Sequence, residues 1–111
     1  MSYKGKLNYI DYEDVLSFDS FIIKGDCITF HATTTWGKWG EWVIESDAIF
    51  NGKYYETNKA YSSLVLNTNN MVSCKVVFSE VTVLGSEVKV AGYWDEKDEK
   101  HNFSGTLERK D

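Results

Sequence analysis

Gly25-Asp26, Asn51-Gly52 and Gly85-Ser86 each stand between two stretches of alternating apolar residues, and these turn pairs commit the chain to antiparallel hairpins. A two-residue loop fixes the register of the strands it joins, so each turn can be judged by the side chains it brings opposite one another. With Gly25-Asp26 as loop, Lys24 meets Cys27, Ile23 meets Ile28 and Phe21 meets Phe30, while Ile22/Thr29 and Ser20/His31 share the other face. With Gly85-Ser86 as loop, Val83 meets Val88 and Val81 meets Val90, and Thr82/Lys89 and Glu80/Ala91 point the opposite way. Asn51-Gly52 is the strongest turn signal, because both residues tolerate the positive φ of a type I′ turn. It sets Phe50 against Lys53, Ile49 against Tyr54 and Ala48 against Tyr55.

A further hairpin spans the last acidic loop. Pairing Trp94 with Phe103 also pairs Gly92 with Gly105, Val90 with Leu107 and Lys89 with Glu108. Such cross-strand pairs contribute about 0.2–1 kcal/mol each, so several in one register outweigh a slipped alternative. Strands are expected at residues 3–9, 18–24, 27–35, 41–50, 53–57, 64–66, 71–83 and 88–94, with one helical turn near 11–16 and no clean period over 57–63. The asparagines at 67–70 read as a turn. Along 71–83 the apolar phase moves from Val72, Cys74, Val76 and Phe78 to Val81 and Val83, which predicts a bulge near Ser79-Glu80. The chain is therefore expected to be all-β: an antiparallel up-and-down meander of about eight strands, closed or half-open as a barrel, with a two-sheet sandwich as the alternative.

At 111 residues, without proline, repeats or a linker-like tract, residues 1–111 are expected to form one domain. Lys4 and Lys6 are followed by Asn8, Asp11, Glu13 and Asp14 rather than by an apolar run, so no secretion signal is read. No stretch approaches the ~20 apolar residues of a membrane span, and a soluble, cytoplasmic protein is expected. Cys74 falls in phase with Val72, Val76 and Phe78 as a small buried hydrophobe, so a disulfide to Cys27 is not expected.

The net charge of −5 and the single arginine, Arg109, argue against a nucleic-acid partner, which needs clustered cations. Acidic residues instead concentrate in two places, Asp11, Glu13, Asp14 with Asp19, and Asp95, Glu96, Asp98, Glu99. These are either solvated loops that keep the chain soluble or a surface for a basic protein partner.

The most unusual segment is Thr33-Thr34-Thr35-Trp36-Gly37-Lys38-Trp39-Gly40-Glu41-Trp42, with three tryptophans in seven residues. Trp36 and Trp42 are open to two readings, a contact surface or plugs at the end of a barrel, whereas Trp39, between the glycines, is expected to be exposed. His31 and His101 read as structural or solvated, since neither belongs to a metal-ligand spacing. No nucleophile elbow, HExxH, phosphate loop, CxxC or dinucleotide motif is present, so neither an enzyme nor a cofactor is expected.

In size, lack of proline and meander order the chain resembles the calycin-type barrels, avidins and lipocalins, and residues 88–94 followed by Phe103-Ser104-Gly105-Thr106-Leu107 are similar to their last two strands. That resemblance implies a barrel able to hold a small apolar molecule, although the lipocalin Gly-x-Trp near the N-terminus is absent. Short, acidic, rich in tyrosine and tryptophan and without a catalytic motif, the chain is also similar in general character to bacterial immunity proteins of toxin–immunity systems. This second resemblance implies an inhibitor that covers a basic, nuclease-type toxin domain. The residues expected at the interface are Trp36, Trp39, Trp42, Asp11, Glu13, Asp14, Asp95, Glu96, Asp98 and Glu99. The alternative is the ligand-binding barrel, and the two readings part at the interior: if Phe21, Phe30, Phe78, Trp94 and Phe103 all point inward, a small barrel is filled.

Overall fold

Alternation of apolar and polar residues with tight turns between them gives a wall of β1 (Ser2–Tyr9), β2 (Val15–Lys24), β3 (Cys27–Thr35), β4 (Glu41–Phe50), β5 (Tyr55–Thr57), β6 (Ala60–Leu64), β7 (Asn67–Leu84), β8 (Glu87–Glu96) and β9 (Glu99–Arg109). The computed structural model describes residues 1–110 and closes this wall, because β9 returns to pair antiparallel with β1. β5 and β6 share one position, each pairing with β4 on one side and β7 on the other. The result is an eight-stranded up-and-down barrel with one strand in two pieces, the architecture of calycin-like barrels and not a sandwich. Closure removes sheet edges that would otherwise template aggregation.

Two of the turn-derived registers are observed pair for pair. Lys24 faces Cys27 and Phe21 faces Phe30 across Gly25-Asp26, and Val83 faces Val88 and Val81 faces Val90 across Gly85-Ser86. The bulge expected in β7 is there, the register shifting between Phe78 and Glu80. Ser79 donates its hydroxyl to the Ala91 carbonyl at 3.2 Å.

Two other registers differ from expectation by two residues. At Asn51-Gly52 the structure pairs Phe50 with Tyr55, Ile49 with Glu56 and Ala48 with Thr57. Asn51 does not adopt positive φ; its Oδ1 instead accepts from the backbone N–H groups of Lys53 and Tyr54, both at 2.9 Å. The side-chain-capped turn thereby takes in residues 51–54. At the acidic hairpin Trp94 pairs with His101 and Gly92 with Phe103. The turn tightens to Lys97-Asp98, both at positive φ, 51° and 66°. A ring opposite a glycine fills the space that the Gly92–Gly105 pairing would have left empty. The slip is even in both hairpins, so every side chain keeps its face.

The segment without a clean period is the broken strand: pairing stops at Asn58-Lys59, where Lys59 has φ 54°. The Thr57 hydroxyl repairs the gap by accepting from the buried Val76 N–H at 3.0 Å. Leu64 ends β6, and Val65-Leu66, expected in a strand, form the turn with Leu66 95% exposed. Residues 11–16 form no helical turn; the loop runs directly into Val15.

Phe18, Phe21, Phe30, Phe78 and Phe103 meet in the lumen with ring centroids 5.2 to 6.1 Å apart. Their edge-to-face and tilted contacts contribute about 0.5–1.5 kcal/mol per pair beyond simple burial. Trp94, Tyr3, Leu7, Leu16 and Leu107 complete a solid interior. All five rings whose inward placement was taken to fill the barrel are buried.

Candidate partner-binding end of the barrel

In an up-and-down barrel, alternate connections lie at the same end. The loop 10–14 between β1 and β2, the tryptophan loop between β3 and β4, the Val65-Leu66 turn and the Lys97-Asp98 turn therefore share one end. Asp11, Glu13, Asp14, Glu96, Glu99 and the tryptophans, separated by up to 88 positions from Asp11 to Glu99, belong to that end.

The tryptophan loop is built by its glycines. Gly37 at φ 52° and Gly40 at φ 88° bracket a 3-10 turn over Gly37–Trp39, in which the Trp39 N–H donates to the Trp36 carbonyl at 2.9 Å. The Trp36 N–H donates to the Gly40 carbonyl at 3.0 Å, closing the loop on itself. Its three indoles then have different fates. Trp42 continues the inward phase of β4, is 9% exposed, and donates Nε1–H to the Trp39 carbonyl at 3.0 Å. Trp36 lies half-buried across the end of the barrel, with ring centroids 5.0 Å from Tyr9, 5.7 Å from Tyr12, 5.9 Å from Trp94 and 5.2 Å from His101. Its Nε1 is buried without a hydrogen-bond partner. Trp39 is 69% exposed, as expected, and Lys38 Nζ sits 5.3 Å from its ring centroid.

Two clefts flank Trp39. One, of about 380 Å³, is lined by Tyr12, Asp14, Trp36, Lys38, Trp39, Glu96, Glu99 and His101. The other, of about 220 Å³, lies among Trp36, Trp39, Trp42, Val72, Glu96 and Lys97. Glu96 belongs to both, and its Oε1 accepts from the buried Trp94 Nε1–H at 3.3 Å. Asp95 and Asp98 border a different depression of about 780 Å³ on the outer wall, beside the break between β5 and β6, with Lys75 and Lys97. Asp11 and Glu13 are exposed in the loop 10–14 and line neither cleft.

The acidic end reaches into the protein. Burial first, and then the negative charges of Asp14 and Glu96, push the Tyr9 hydroxyl well above the usual phenol range. The Tyr9–Thr34 hydrogen bond is 3.0 Å long, and because Thr34 donates its own hydrogen to the Val15 carbonyl at 3.1 Å, Tyr9 is the donor. Cys74 is pushed up to about 12, again by burial first and by Glu96 second. Glu99 Oε2 lies 3.6 Å from His101 Nε2.

Tyr12 and His101 are members of this end that the pattern of residues did not single out. His101 packs its ring 4.9 Å from Tyr12 and 5.2 Å from Trp36. The usable signal was the two-residue turn at Lys97-Asp98, which places His101 opposite Trp94 and so beside the tryptophan loop. His31 is elsewhere, on the outer wall, with Nδ1 2.5 Å from Oδ1 of Asp19, the residue at the β2 bulge. Cys27 and Cys74 are free thiols, one on the outer face of β3 and one in the core. Among the described residues no group of three His, Cys, Asp or Glu side chains is placed to hold a metal. Comparison with known proteins returned no match to a protein-family model, to a curated protein or to a solved structure.

Proposed function

We propose that this barrel is a protein-binding inhibitor that docks its tryptophan-bearing, acidic end onto a basic protein surface, in the manner of an immunity protein covering a nuclease-type toxin domain. The observation that carries the reading is the convergence of Trp39, Tyr12, Asp14, Glu96 and Glu99 on one end of a barrel whose lumen is solid. An exposed tryptophan set beside other aromatic rings is a common anchor at interfaces. The surrounding carboxylates match a basic partner, speed its approach and disfavour acidic competitors. The packed rings of Phe21, Phe30, Phe78, Trp94 and Phe103 weigh against an apolar ligand in the interior.

The test is capture from the lysate of the source cell on the immobilised full chain at low salt, with elution by rising salt and identification by mass spectrometry. The proposal expects one basic protein, released at moderate salt and not captured by a Trp39→Ala, Glu96→Lys variant. Capture that is indifferent to salt and to both substitutions would overturn it.

A further inference from the structure

Resting on the protein-binding reading, we infer that the cleft between Tyr12, Trp36 and Trp39 receives a single arginine side chain of the partner, its guanidinium stacked on the indoles and hydrogen-bonded to Asp14, Glu96 and Glu99.

The lining of the cleft points to a cation. The walls are aromatic faces, whose quadrupoles attract cations. Trp39 already holds one from its own chain, with Lys38 Nζ 5.3 Å from the ring centroid. Two of the cleft's carboxylates lack an internal counter-ion: among the described residues no lysine or histidine forms an ion pair with Asp14 or Glu96, although Lys38 and Lys97 border the two clefts. Glu99 has His101 beside it, at 3.6 Å. Glu96 is also held in place, because the Trp94 indole N–H at 3.3 Å fixes its carboxylate while leaving acceptor positions for a second donor.

A cleft of about 380 Å³ has ample room for one arginine side chain. Arginine is favoured over lysine because a guanidinium stacks on indole and offers several coplanar donors to carboxylates on different elements, whereas an ammonium presents one compact, strongly hydrated charge. Asp14 comes from the β1–β2 loop, Glu96 from β8 and Glu99 from β9, so the acceptors are supplied by three elements rather than from a single point.

The test titrates n-butylguanidinium chloride into the ¹⁵N-labelled full chain at constant ionic strength, with n-butylammonium chloride and n-butanol as comparators, and follows the indole N–H resonances. Saturable shifts at Trp36 and Trp39 are expected with n-butylguanidinium, weaker binding with n-butylammonium, and no saturable shift with n-butanol. Trp39→Ala should weaken binding about three- to tenfold, and Glu96→Gln, which keeps an acceptor for Trp94, about tenfold. No saturable shift, or an equal response to n-butanol, overturns the arginine site even if a protein partner is captured as above. If n-butylguanidinium binds but fails to release the captured protein, or no protein is captured, the cleft is a site for a free cation and the partner-borne side chain is overturned.

Discussion

Trp94 and Glu96, two positions apart on the same face of β8, are joined by an indole Nε1–H to carboxylate hydrogen bond of 3.3 Å that ties the solid core to the acidic end. Trp94 is fully buried, so the bond gives its one polar atom a partner and at the same time fixes a charge at the wall of both clefts. Trp94→Phe should fold, lose about 1–3 kcal/mol of stability through the lost bond and the smaller ring, and bind the partner more weakly because Glu96 is no longer held. Chemical denaturation and partner titration on the same variant measure the two effects separately.

The indoles of the tryptophan loop should separate by stability. Trp39→Ala is expected to change unfolding free energy by less than about 0.5 kcal/mol, because the ring is mostly in solvent. Trp42→Ala should cost about 3–5 kcal/mol, since it empties a core position and removes the bond to the Trp39 carbonyl. Urea midpoints at equal m-value decide it; equal losses would mean that Trp39 is packed in solution.

Gly92 is required by the close approach of β8 to the bulged stretch of β7. A Cβ built there would lie 1.8 Å from the Val77 carbonyl oxygen, a backbone atom that cannot turn aside. Gly92→Ala should therefore destabilise by at least about 1–3 kcal/mol, whereas Ala91→Gly, on the outer side, should cost less than about 1 kcal/mol. Thermal unfolding of the pair measures the difference.

Stability should fall in alkali. Cys74 is raised from 9.0 to about 12 by burial and by Glu96, so between about pH 9 and 12 the unfolded chain has lost a proton that the folded chain keeps. The stabilisation is complete below pH 9 and drains away as the pH climbs towards 12, and the raised Tyr9 hydroxyl acts in the same direction above its ordinary 10.0. Denaturation at pH 7, 9 and 10 should show the decline, with a shallower slope in Cys74→Ala. Native thiol counting at pH 8 should label Cys27 well before the buried Cys74.

Much of the wall was legible along the chain. The Gly25-Asp26 and Gly85-Ser86 registers and the Ser79 bulge follow from alternation and turn chemistry, which act between residues close in sequence. Where a side chain supplied an unanticipated hydrogen bond, as Asn51 does, or where two non-glycine residues took positive φ, as Lys97 and Asp98 do, the turn was recognised but its length was not. The break at Asn58-Lys59 erased the period of the strand it interrupts, and its repair by Thr57 involves Val76, far along the chain.

By itself the sequence determined that the chain is an antiparallel meander, which side chains share a face, and that Trp39 is exposed, because period-two alternation and glycine-bracketed turns are local properties. Only the tertiary structure decided that β9 closes onto β1, that five phenylalanines fill the lumen, and that Trp42 is buried while Trp36 lies half-buried against the core at the barrel's end. It alone placed Asp14, Glu96 and Glu99 around Tyr12 and Trp39. Closure is a pairing between the two ends of the chain, and it is closure that turns loops remote in sequence into one surface.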